Sequence, residues 1–132
     1  MAVGKIFKLK QDINGNTESR TFAFEFNNKL ASGDSIPSNL APSFQQTTQT
    51  TGAIGLTNGI PSVNGTQVWI RIGTTATLGA LYDVSCTVQT TQGDILVVSG
   101  GIQIVASSTP ISGTLTPTSG SGGLSGTFGG PP

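Results

Sequence analysis

At 132 residues the chain is long enough for one packed core and short for two ordinary domains. Six basic and six acidic residues cancel, charged residues are only 9 % of the chain, and there is no His. That balance argues against a phosphate-neutralising nucleic-acid surface and against a switch titrating between about pH 5 and 8. The single Cys allows no internal disulfide, as expected of a chain made in a reducing cytosol.

The opening MAVGKIFKLK carries Lys5, Lys8 and Lys10 where a signal peptide would place its apolar core, so no secretion signal is expected. Residues 3–10 read as a strand. Its lysines suit an edge, where they discourage edge-to-edge pairing, or else a basic contact patch. Asn14-Gly15 marks a turn, and residues 21–27 form the next strand, with Phe22, Phe24 and Phe26 on one face. Gly33-Asp34-Ser35-Ile36 looks like the nucleophile block of GDS-type lipases, but that serine needs a histidine to activate it. The block therefore reads as a turn leading into a strand.

A polar strand follows around 43–50 and a weak one over 52–57. Gly52, Gly55 and Gly59 are a connection rather than a phosphate loop, since no Lys-Ser or Lys-Thr follows them. Asn64-Gly65-Thr66 matches a glycosylation acceptor and reads more simply as a turn. In the strand 66–73, Val68, Ile70 and Ile72 alternate with Trp69 and Arg71, which project together from the opposite face. Trp and Arg are enriched at interface hot spots, so both are interface candidates, with an amphipathic surface pair as the plain alternative. In 81–90, Tyr82, Val84, Cys86 and Val88 face inward and Asp83, Ser85, Thr87 and Gln89 outward, which makes Cys86 a small buried hydrophobe. The last long strand, 94–106, carries Gly100-Gly101, expected to form a bulge that brings Ile102 and Ile104 into register with Ile95 and Val97. The longest apolar run, 95–98, falls far short of the ~20 residues that span a bilayer. No carboxylate pair has calcium-loop spacing, and none has local support as a glycosidase pair.

Nine of the twelve charges precede Ser35, and residues 107–132 have none; Gly, Pro, Ser and Thr make up 22 of those 26 positions. The expected organisation is a domain over 1–106 and an extended arm over 107–132. Fixing 26 backbones costs on the order of 26–50 kcal/mol, whereas burying Ile111, Leu115, Leu124 and Phe128 returns about 6–12. The arm is therefore expected to lie on a neighbouring subunit, with Leu115, Leu124 and Phe128 as anchors. About seven short strands and no helix point to an all-β antiparallel sandwich.

Leu78, Gly79, Tyr82, Val84 and Cys86 follow the spacing L-G-x-x-Y-x-V-x-C, similar to the corner and sixth strand of immunoglobulin-like and fibronectin-type sandwiches, whose Tyr hydroxyl bonds back to the turn. No second Cys could pair with Cys86, and Trp69 does not take the place of an antibody core Trp. The order of Thr21 to Phe26, Leu30, the Gly33 to Ile36 block, Val68-Trp69-Ile70, Gly79 to Val84 and Thr90-Thr91-Gln92-Gly93-Asp94 resembles, over residues 6–105, small immunoglobulin-like structural proteins of tailed bacteriophage virions. The resemblance implies a non-enzymatic virion protein, foremost a capsid cement or decoration protein that binds and stabilises the major capsid lattice. A head-fibre or tail-associated module with a host-binding surface is the alternative. It implies the major capsid protein or other virion proteins as partners and a homo-oligomeric assembly. It implies no catalytic residue, cofactor or metal, and no nucleic-acid, membrane or small-molecule substrate. The protein would be made in the host bacterial cytoplasm and end in the virion.

Overall fold

Alternation of apolar and polar residues buries one face of each long strand, and the buried faces meet as two sheets. The computed structural model describes residues 5–73, 75–111 and 124–129. Among the described residues there are nine strands and no helix: β1 (Ile6–Gln11), β2 (Ser19–Glu25), β3 (Ser43–Thr48), β4 (Thr57–Asn58), β5 (Ser62–Asn64), β6 (Gln67–Gly73), β7 (Leu81–Gln89), β8 (Ile95–Ala106) and β9 (Leu124–Phe128). Sheet A has the order β1-β8-β7-β3 and sheet B the order β4-β6-β2-β9, with β5 also on β6. Two pairs, β1 with β8 and β2 with β9, are parallel. The all-β expectation holds, but the sheets are mixed rather than purely antiparallel, because β1 and β9 each join their sheet in parallel. The 52–57 strand shrinks to β4, and β5 and β9 were not expected.

One core lies between the sheets. Phe22, Phe24, Val68, Ile70 and Ile72 from sheet B meet Leu9, Tyr82, Val84, Cys86, Val98, Ile102 and Ile104 from sheet A. Cys86 is fully buried, and burial pushes its thiol up to about 12, so it stays protonated at neutral pH.

The C-terminal residues depart from the expected arm. Residues 124–128 pair in parallel with β2 of the same chain, so a boundary after residue 106 does not separate them from the sandwich. Phe128 is not an anchor on a neighbour. It is fully buried, stacked on Phe24 at 4.8 Å, edge-on to Phe7 at 4.9 Å and 5.7 Å from Phe22. Burying that one ring contributes about 1.5–3 kcal/mol, and the β2 edge gains backbone partners, two returns that a count of apolar residues over the whole tail dilutes. Leu115 lies outside the described residues, and only the backbone of Leu124 is described.

Gly100-Gly101 forms no bulge. The β7–β8 register runs unbroken from Leu81↔Gln103 to Gln89↔Ile95. Gly100 faces inward, and a Cβ there would lie 2.0 Å from Cδ1 of Phe128, so this glycine makes room for the ring. Gly126 does the same for Phe7, whose Cε1 would be 2.4 Å from an added Cβ. Unbroken alternation keeps Ile102 and Ile104 inside and turns Ile95 and Val97 outward, 69 % and 44 % exposed. The one irregular register lies in the β2–β9 pair, between Thr21 and Phe22.

Tyr82 fastens the turn that enters β7. Its buried hydroxyl accepts from the backbone N–H of Thr77 at 3.0 Å and donates to the carbonyl of Ile54. The bond back to the turn is the one expected for this residue. It also ties in the 49–56 connection, whose Leu56 is held to β3 through both peptide groups by the Gln46 amide.

Candidate interaction surfaces

Two carboxylates, Asp12 and Asp34, act as fasteners. Asp12 Oδ1 accepts from the N–H groups of Asn14 and Asn16, both at 2.9 Å, and Oδ2 from the N–H of Ile111 at 2.7 Å. The Ile111 bond is the largest influence holding the Asp12 carboxyl below its ordinary value, against the opposing effect of burial. The segment leaving β8 is thereby pinned to the β1–β2 turn. Asp34 Oδ1 accepts from Ser35 N–H at 2.8 Å, from the Thr91 hydroxyl at 2.7 Å and from Gln92 N–H at 3.1 Å. Burial would raise Asp34, but these donors and Thr90 together hold it low. The block read as a turn is thus a clip between the β2–β3 connection and the β7–β8 turn, with Ile36 buried behind it. Among the described residues no three His, Cys, Asp or Glu side chains gather where they could hold a metal ion.

Two surfaces remain for contact with a partner. The first is the outer face of sheet A. By register, Ser43, Thr87 and Val97 share one row, Gln45, Ser85 and Ser99 the next, and Thr47, Asp83, Gly101 and Ile6 the third, with Gln89 beside Ile95 at the margin. In these rows Asp83 is the single charge, and its Oδ2 accepts from Gln49 Nε2 at 2.7 Å. The next row, Leu81, Gln103 and Lys8, and Lys10 beyond it, add two exposed lysines to the same face at its β1 edge. The half-exposed aliphatics Ile6, Ile95 and Val97 therefore lie among hydroxyls and amides. Lys8 and Lys10 stand on edge strand β1, as the guarding role requires. The aliphatic part of this face was missed in the sequence, because the glycine pair was read as a change of register.

The second surface is the outer face of sheet B, which brings Trp69 and Arg71 together as alternation implied. Ser62, Trp69, Ala23 and Thr127 form one row across β5, β6, β2 and β9. Ala23 faces outward yet is fully buried, because its row neighbours cover it. The indole Nε1 donates to Gln67 Oε1 at 2.7 Å, and Gln67 Nε2 donates to Glu25 Oε1 at 2.9 Å. Glu25 Oε2 accepts from the Thr66 hydroxyl and from Asn27 N–H. Arg71, two residues beyond Trp69, has no side-chain partner among the described residues. Phe128, the third candidate whose side chain is described, is in the core and on neither surface.

An open groove of about 610 Å³ lies between the 38–42 and 60–63 segments. Its lining, which includes Ser38, Asn39, Pro42 and Ile60, has no titratable side chain. A comparison of the chain with known protein families, with curated proteins and with solved structures gives no match.

Proposed function

We propose that this protein is a structural component of a tailed-bacteriophage virion, a cement or decoration protein that docks on the major capsid lattice through the outer face of sheet A. The observation that carries the reading is the broad field of Ser, Thr and Gln around exposed Ile6, Ile95 and Val97, with its charges limited to Asp83 and the β1-edge lysines Lys8 and Lys10. Such a surface gives each copy modest, salt-tolerant contact, and symmetry multiplies it over the particle. Immunoglobulin-like identity is supported by strand order. Taking β2 as strand B, the sheets β4-β6-β2 and β3-β7-β8 follow the D-E-B and C-F-G orders of that fold, and Tyr82 stands at its corner. In this reading β9 fills the edge beside strand B.

Co-sedimentation with expanded capsids tests the assignment. The wild-type protein should pellet with capsids, and the Ile95→Asp, Val97→Asp double variant should stay folded in the supernatant. Capsids that fail to retain the wild type would contradict it. A second reading, a head-fibre or tail-associated module with a host-facing surface, is favoured by Trp69 and by Arg71, which has no side-chain partner among the described residues, on the opposite sheet.

A further inference from the structure

We propose that the outer face of sheet B is a binding platform for an acidic sugar, a pyranose carrying a carboxylate, with Trp69 as the stacking surface and Arg71 as the carboxylate receptor. The inference rests on the host-facing reading of this sheet and names the class of ligand it would take.

Trp69 is held in place before any ligand arrives. Its N–H edge is fixed by Gln67 Oε1, and the orientation of the Gln67 amide is set in turn, because its NH₂ group is committed to the Glu25 carboxylate. Glu25 is itself fixed by Thr66, Gln67 and Asn27. The indole is tethered along its strand, stands opposite buried Ala23 in the sheet register, and is itself partly exposed. A partly exposed, pre-positioned indole suits the C–H face of a sugar ring, which is apolar and flat. Little side-chain freedom is left to lose on binding.

Arg71 supplies the second half. It shares the face with Trp69 at a two-residue spacing, ~7 Å along the strand, close to the span of one sugar ring and its carboxylate. Its guanidinium has no partner among the described residues, and it is the one cation there on this face. A planar fork with no partner matches a carboxylate, which it can bind through two parallel N–H···O bonds. Glu25 lies at the opposite end of the Gln67–Trp69–Arg71 line, so the face is polarised: carboxylate toward Arg71, hydroxyls toward Gln67 and Glu25. A polyanion such as nucleic acid would need many cations, and a neutral glycan would leave Arg71 unused.

Trp69 is the only tryptophan, so intrinsic fluorescence reports directly on the site. Titration of the full chain with tetragalacturonate should give a saturable change, and maltotetraose should bind at least about tenfold more weakly. Arg71→Gln should reduce tetragalacturonate affinity about 10- to 100-fold and leave maltotetraose affinity unchanged. Equal affinity for both sugars together with an indifferent Arg71→Gln would overturn the acidic-sugar assignment and leave the host-facing reading standing. No saturable response to either sugar would overturn both. Neither result bears on capsid docking, which uses the other sheet.

Discussion

Tyr82 shows how one polar atom organises a region. Its hydroxyl satisfies a backbone N–H at Thr77 and a carbonyl at Ile54, fixing two connections that sequence separates by more than twenty residues. Tyr82→Phe keeps the ring and orphans both backbone groups, so it should cost about 1–3 kcal/mol, read as a lowered denaturation midpoint at unchanged m-value. Asp12 works through charge. Its folded-state value is depressed chiefly by the N–H of Ile111, so its contribution to stability is present above the unfolded carboxylate value of ~3.9 and is lost as pH falls through the lower folded value. Asp12→Asn should lower the melting temperature at pH 7 and leave a smaller further loss on acidification below about pH 4 than in the wild type. Equal acid sensitivity of the two proteins would show that the Ile111 tie contributes nothing.

At the scale of elements, β9 carries the largest consequence. Its ring sits among Phe7, Phe22 and Phe24, in space that Gly100 leaves open. Phe128→Ala should destabilise by about 3–5 kcal/mol, and removal of residues 112–132 by at least as much, because it also exposes the β2 edge. A truncated chain as stable as the whole would contradict the placement of β9. Strands β2, β6 and β7 are legible in the sequence because three or more apolar residues alternate without interruption, and the same alternation places Trp69 and Arg71 on one outer face. β9 is not legible: Leu124-Ser125-Gly126-Thr127-Phe128 sits in a run of Gly and Ser, and its reason to pair is the gap at Gly100, which belongs to another strand. The outward turn of Ile95 and Val97 escapes for a related cause. Glycine permits a bulge, and only the ring packed against Gly100 shows that its role is space.

At the scale of the molecule, the two outer faces differ in what they can grip. Sheet A offers breadth, a few aliphatics, and charge only at Asp83 and along its β1 edge. Sheet B offers one pinned indole and one guanidinium without a side-chain partner among the described residues. A cement that docks by sheet A leaves sheet B facing away from the shell, so lattice attachment and recognition of a surface glycan need not compete. The core and its clips hold both faces rigid, as the proposed cement role requires if weak contacts are to repeat in the same geometry at every lattice site. The most direct test is a cryo-electron-microscopy reconstruction of a capsid incubated with the protein. The account predicts density for the sandwich on the lattice, with Ile95 and Val97 against the major capsid protein and Trp69 toward solvent. A particle without such density, or one in which the outer face of sheet A points away from the shell, would contradict it.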